Sequence, residues 1–359
     1  MPRPRLFWVA IAAITATATL SLLPGLLEWL PFHTPESAVI ISVPSGERKP
    51  DGPRHEYMMT FSAFPPLVRF EVVSAKEVGS RIADDEFVLG AEVDGVPRAY
   101  PLNMLGKPGS EVVNDSLGGQ PIVATFCGLC ETPLVFSRQV DDRILTFHVS
   151  GLAIDSSMLI EDVETRSGWI QIEGRAVEGP LQGKTLGQFP AVWIDWKAWR
   201  AAHPSTTAVL LSRGSRKYSR TIAGKSAASR AAWLDAMQWG LARNGQTGSW
   251  PFAAMAAHPV VNDTFAGLPL LLAFNADSLS TTAFDRRTDG RVLNFTLRGD
   301  KLVDVETGST WNPLTGRALS GPLAGHRLSP VNGTVSTRRA WIAHHPESRA
   351  WPSPDLSRE

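Results

Sequence analysis

The feature that most constrains this chain is that its sequence is written twice. EVVNDSLGGQPIVATF (111–126) matches PVVNDTFAGLPLLLAF (259–274), and FSRQVDDRILTF (136–147) matches FDRRTDGRVLNF (284–295). The register is held without a gap from Asn114 to Phe147. Six residues are then lost from the second copy, and DVETRSGWIQIEGRAVEGPLQG (162–183) realigns with DVETGSTWNPLTGRALSGPLAG (304–325). The ends also agree, WRAAHP (199–204) with WIAHHP (341–346). A repeat of this length predicts two related lobes.

Each copy reads mainly as β. PIVATF and PLVF are short apolar strands, and RILTFHVSG alternates as a half-buried strand does. Asp141-Asp142 and Asp289-Gly290 are hairpin turns. WIDWKAWRAAHP predicts a short helix with Trp193, Trp196 and Trp199 on one core-facing stripe. Residues 226–245 predict an amphipathic helix stopped at Asn244-Gly245, and 85–102 a hairpin turning at Asp94-Gly95. The expected class is mainly β (α+β): two β-rich lobes from an internal duplication, short helices at the lobe ends and an N-terminal transmembrane helix. The expected boundaries are 1–32 for a membrane anchor or signal, 33–84 for a linker and extension, and 85–211 for lobe one. A basic linker and helix follow at 212–248, then lobe two at 249–347 and a tail at 348–359.

The anchor rests on LFWVAIAAITATATLSLL (6–23), which carries no charge and follows Arg3 and Arg5. A run of that length just spans a bilayer as a helix, and the arginines favour a cytoplasmic N-terminus. Ala16-Thr17-Ala18 offers a competing signal-peptide cleavage site, but cleavage there would leave an apolar new terminus, so the flanks favour an uncleaved anchor. On either reading the body is exported, to the periplasm or the extracellular space, and the membrane is a partner through this segment. Lysine plus arginine equals aspartate plus glutamate at 35 each, so no global basic field invites nucleic acid. The basic stretch Arg213 to Arg230 has only Tyr218 interleaved as a stacking aromatic and reads as a solvated linker.

With these residues in view, the chain resembles the bacterial and archaeal family known as domain of unknown function 3179. The resemblance lies in YPL followed by VVND, the Cys-x-x-Cys turn, VF-S-R-x-V-D-x-R-x-L-x-F-x-V-S-G, D-x-x-T-x-S-x-W and G-R-A-V-x-G-P-L, and it runs from about residue 85 to about 347. It implies no established activity. The family commonly has His-Glu before Val-Asn-Asp; here lobe one has Ser110-Glu111, and His258 holds the histidine position in lobe two.

The second copy serves as a control on the first. Asn114/Asn262, Asp115/Asp263 and Trp169/Trp311 occur in both and read as structural, as do Asp162, Glu164, Asp304 and Glu306, which lack calcium-loop spacing. Asn114, Asp115 and His258 remain residues that a cleft between lobes could use. Sulfur is kept in one copy only: Cys127 and Cys130 fall opposite Asn275 and Ser278, His148 opposite Thr296, and Met158 in the segment lobe two lacks. The strand-like ETPLVFSR after Cys130 argues against a thioredoxin-type helix N-terminus, and Glu131 excludes a Cys-x-x-Cys-His haem site. A closed zinc site would need further histidine or carboxylate ligands. Cys127 and Cys130 with His148 or Met158 suit a cuprous ion, which makes copper the expected metal. An inert turn and a labile redox pair stay open beside it. The function expected is a metal-binding or thiol-redox accessory module, with a non-catalytic scaffold binding in the inter-lobe groove as its alternative.

Overall fold

The computed structural model describes residues 57–59, 63–214, 217–220 and 226–352. The expected anchor, most of the 33–84 linker and the last tail residues lie outside them, as do Arg216 and Lys225 of the basic stretch. Among the described residues no helix is long and apolar enough to cross a membrane.

The chain is mainly β, and each copy builds the same three main sheets in the same order, with a two-stranded ribbon between the second and the third (Gln139–Val140/Arg143–Ile144 in lobe one, Arg287–Thr288/Arg291–Val292 in lobe two). In lobe one the hairpin Phe87–Val93/Val96–Pro101 turns at Asp94-Gly95 and is flanked by Ala191–Asp195, Thr207–Leu210 and Glu71–Ser74. The second sheet is Val112–Leu117, Gln120–Cys127 and Thr132–Ser137, edged by Gln188–Phe189. The third is the meander Phe147–Ile154, Ser157–Asp162, Gly168–Ile170 and Arg175–Glu178, edged by Tyr57–Met59. Lobe two repeats them as Met237–Arg243/Gln246–Pro251 with Thr334–Thr337 and Arg349–Ala350. Its second sheet is Val260–Phe265, Leu268–Asn275 and Ser280–Asp285; its third is Phe295–Arg298, Lys301–Asp304, Thr310–Trp311 and Ala318–Ser320.

Two sequence expectations are corrected here. The helix expected over 226–245 ends at Ala236; Met237–Arg243 is a strand, and Asn244-Gly245, with φ of 50° and 73°, is its hairpin turn. Short apolar runs serve either element, and here pairing on both sides with 246–251 and 334–337 decides for strand. Lobe two therefore starts near 237, not 249. Lobe one likewise takes strands at 57–59 and 71–74 from the expected linker, and lobe two takes Arg349–Ala350 from the expected tail.

The residues common to both copies explain the common fold. Asn114 Nδ2 donates to the Phe147 carbonyl at 2.8 Å and its Oδ1 accepts from the Phe147 amide at 2.7 Å; Asn262 does the same with Phe295. Asp162 accepts from the Thr165 and Ser167 amides and from Trp169 Nε1, and Asp304 accepts from the Thr307 amide and Trp311 Nε1. Helices Trp196–Ala202 and Arg338–His344 are N-capped by Asp195 and Thr337. Each lays a tryptophan on a glycine of its lobe's first hairpin. A Cβ on Gly90 would stand 2.3 Å from the Trp199 ring, and one on Gly240 2.6 Å from the Trp341 ring.

The main hydrophobic core crosses from one lobe to the other. Phe87, Phe126 and Trp193 of lobe one share it with Trp233, Trp250, Phe252 and Leu272. A second cluster lies in lobe one around Phe147 and Trp169, holds both cysteines and takes in Ala340 from lobe two; lobe two has its counterpart around Phe295 and Trp311.

Candidate functional site

The cysteine turn joins strands Gln120–Cys127 and Thr132–Ser137. Both thiols are free and buried, while Gly128 between them is exposed. The Cys130 thiol lies 3.9 Å from the Cys127 carbonyl, within the looser reach of a sulfur donor. The Met158 amide donates to Cys127 Sγ at 3.3 Å. Met158 sits on the outer part of the hairpin Phe147–Ile154/Ser157–Asp162, which the six extra residues of lobe one lengthen; the equivalent strands of lobe two are Phe295–Arg298 and Lys301–Asp304. The insertion thus supplies one of the contacts to the Cys127 sulfur. Lobe two supplies another contact: the Thr337 amide donates to the Cys130 carbonyl at 2.9 Å, and Ala340 packs in the cluster around both sulfurs.

The two thiols are driven apart in acidity. Burial opposes ionisation of Cys127, but the Cys130 thiol and the amides of Cys130, Met158 and Leu129 more than offset it, leaving Cys127 below the usual thiol value. Cys130 is held well above that value by burial, by its hydrogen bond with Cys127, and by the charges of Cys127 and Glu131.

A layer of polar side chains that the sequence reading passed over completes the site. Glu131 is 3% exposed and has φ of 52°; its Oε1 takes Lys217 Nζ at 3.1 Å, and its Oε2 is buried without a partner at hydrogen-bonding distance. Burial raises its pKa to about 7 against the opposing pull of Lys217 and Tyr218. Tyr218 stands edge-on to Phe126 at 4.9 Å, and a Cβ on Gly128 would be 3.6 Å from its hydroxyl. Its backbone is clamped by Asn103, whose Nδ2 donates to the Tyr218 carbonyl at 3.0 Å and whose Oδ1 accepts from the Tyr218 amide at 2.8 Å. Burial raises the Tyr218 phenol, and the charges of Glu131, Cys127 and Glu111 raise it further. Glu111, the acid before Val-Val-Asn-Asp, is itself raised to about 7 by burial against its local amides, and its Oε2 is unpartnered. Position 131 carried a signal: its repeat partner is Leu279, in the same left-handed conformation (φ 53°). One copy uses leucine at a buried turn where the other buries an acid.

The remaining expected residues are placed elsewhere. His148 does not join the cysteines. Its strand neighbours Phe147 and Val149 face the cluster around the sulfurs, so alternation turns the imidazole to the other face, where Nε2 meets Glu161 at 3.2 Å. Among the described residues no group of three or more His, Cys, Asp or Glu is poised to hold a metal ion. Asn114 is spent on Phe147, and Asp115 accepts from Arg98 at 2.6 Å and the Tyr100 hydroxyl at 2.7 Å. His258 is exposed, its ring edge-on to Trp351 at 5.9 Å rather than in a cleft between lobes.

Among the described residues, two cavities lie between the lobes at positions related by the repeat. One cavity of about 420 Å³ is lined by Gly90, Glu92, Trp199 and His203 of lobe one against Thr281 and Arg327 of lobe two. The other, about 330 Å³, has Gly240, Trp341 and His345 of lobe two against Phe136, Glu173 and Arg175 of lobe one. Glycine, tryptophan and histidine recur by the repeat; the charges do not. Arg327 meets Glu92 at 2.8 Å across the first cavity, and Glu173, which lines the second, meets His344 Nδ1 at 3.1 Å.

A model of the family described as "Protein of unknown function (DUF3179)" matches residues 62–238 and again 225–355. The chain belongs to the DUF3179 family. Its two matches fall on the two lobes, so this chain carries the DUF3179 unit in tandem. Comparison with curated proteins and with solved structures gives no match to either.

Proposed function

We propose that lobe one is a thiol-redox module and that lobe two is its structural support. The observation that carries this reading is the asymmetry of the cysteine turn: two adjacent free thiols of opposed acidity, one of them contacted by an insertion that the other copy lacks. The Cys127 thiolate attacks a disulfide-bearing partner, Cys130 resolves the mixed disulfide, and the pair ends as a Cys127–Cys130 bond. Two electrons and two protons pass to the partner, which leaves as two thiols. The apolar run at 6–23 and its arginine flank support a membrane-anchored, extracytoplasmic setting for this exchange, as an accessory to an envelope process. The test is a thiol count and a metal analysis on the full chain, with and without reductant. Two thiols lost on mild oxidation and restored by dithiothreitol, with Cys130→Ser trapping a mixed disulfide at Cys127, support the reading. Thiols that react only after unfolding overturn it, and stoichiometric copper lost in Cys127→Ser replaces it with a cuprous site.

A second reading rests on the larger inter-lobe cavity. Thr281 is 4% exposed there with its hydroxyl unpartnered, beside the Glu92–Arg327 pair. In this reading the protein is a non-catalytic scaffold holding a small polar ligand between the lobes. Native mass spectrometry tests it: an added mass lost in Thr281→Val and in Arg327→Gln, but kept in Cys127→Ser, favours the scaffold.

A further inference from the structure

The larger inter-lobe cavity holds polar groups that the fold does not use. Thr281 lines it, is buried, and its hydroxyl has no hydrogen-bond partner among the described residues. An unsatisfied buried hydroxyl costs stability, and strand Ser280–Asp285 pairs through its backbone without it. The repeat tells the same story. Thr281 falls opposite Pro133, Glu92 opposite Ala242 and Arg327 opposite Thr185, each pair holding the same place in its strand or turn. Three positions that the shared fold leaves free thus bring an alcohol, a carboxylate and a guanidinium to one cavity.

Glu92 and Arg327 neutralise each other there. Glu92 Oε1 takes Arg327 Nη1 at 2.8 Å, and its Oε2 faces His203 Nδ1 at 3.4 Å. Burial holds the His203 pKa below its ordinary value against the pull of Glu92, so the imidazole is uncharged at neutral pH. The other acid of the lining, Asp94, is exposed at its hairpin turn and accepts from Gln120 Nε2 at 2.9 Å. An ionic ligand at Thr281 would therefore have to break the Glu92–Arg327 pair to find a counter-charge. A neutral hydroxylated ligand would not. A hydroxyl donates and accepts at once, and the intact pair presents an acceptor beside a donor, the pattern that two neighbouring hydroxyls complement. Arg327 Nε is committed to the Thr315 carbonyl at 3.2 Å and Nη1 to Glu92, which leaves Nη2 uncommitted. Trp239 and Phe284 supply an apolar wall for the C–H side of a ring. At about 420 Å³ the cavity lies toward the small end of ligand pockets, which sets the ligand at mono- or disaccharide size.

We infer that this cavity binds a small neutral sugar, held through two adjacent hydroxyls by Glu92 and Arg327 and through a third by Thr281. The inference rests on the scaffold reading and gives its ligand a chemical class. It uses no residue of the cysteine turn.

The probes are D-glucose, D-galactose, D-mannose and myo-inositol, with D-glucuronate and D-glucosamine as charged counterparts. Each is titrated by calorimetry into the full chain, kept free of sugar-headed detergents. At least one neutral probe is expected to bind ~10-fold or more tightly than either charged one. Thr281→Val and Glu92→Gln should each weaken that probe on the order of 10-fold, while Cys127→Ser leaves it unchanged. Thr281→Val has a second readout that a structural threonine would not give. Removing a hydroxyl without a partner should raise the thermal midpoint of the ligand-free protein while the affinity for sugar falls. Should Glu92→Gln fail to fold, Thr281→Val decides. Tighter binding of a charged probe overturns the inference, as does a neutral probe that folded variants bind unchanged, or failure of every probe. If an added mass that Thr281→Val and Arg327→Gln remove in native mass spectrometry accompanies that failure, the scaffold reading stands and only the sugar is lost. No added mass and no binding sinks both.

Discussion

Lobe one and lobe two share a scaffold and differ in one corner. Both hold the Asn–Phe clasp, the aspartate under the tryptophan and the glycine beneath the closing helix. Only lobe one lengthens the hairpin that reaches Cys127, and only lobe one buries an acid at the following turn. The comparison separates what the fold requires from what was added to it. What is in both is architecture; what is in one is where the proposed chemistry would lie.

The shared elements should respond alike, and the largest effects belong to them. Asp162→Ala strands the Trp169 indole and two amides, and Asp304→Ala strands the Trp311 indole and the Thr307 amide; each should cost ~3 kcal/mol or more in urea unfolding. A large difference between the two would break the equivalence of the lobes. Gly90→Ala and Gly240→Ala drive a methyl into Trp199 and Trp341, and each should lower stability by about 2 kcal/mol on the same assay.

The unshared elements should part company. Glu131→Leu writes lobe two's residue into lobe one. Burial raises the Glu131 pKa to about 7, so the folded state holds a proton that the unfolded state has released above its ordinary value of 4.5. Stability is therefore lost as pH rises from about 4.5 to 7, and Glu131→Leu should recover ~2 kcal/mol at pH 8 and little at pH 4. Denaturant midpoints at the two pH values check it. The smallest effect on stability, below ~1 kcal/mol, should come from Asn275→Cys with Ser278→Cys, which copies the cysteines into lobe two. These thiols would lack the Met158 amide and the acid, and alkylation at neutral pH should be roughly 10-fold slower than at Cys127.

The duplication, the β character and the one-sided sulfur were legible because each is a pattern of residue types along the chain. What escaped depended on pairing in space. Met237–Arg243 has no strict alternation, and only its two strand neighbours distinguish it from a continuation of helix Ala227–Ala236. His148 sits one residue from two core positions, and strand alternation alone puts it on the wrong face for the cysteines. Lys217 and Tyr218 lie 86 and 87 residues beyond Glu131 in a stretch read as solvated linker, and nothing local announces that Asn103 clamps the Tyr218 backbone. Glu131 was legible in principle, through the leucine opposite it.

The hydrogen bond from Thr337 to the carbonyl of Cys130 makes the C-terminal half a tenant of the N-terminal site. Neither half can be cut free and kept intact, since the aromatic interior continues across the divide. Any loosening of the far half would be felt at the sulfurs. A partner gripping lobe two could thereby alter their exposure from a distance, without ever touching them.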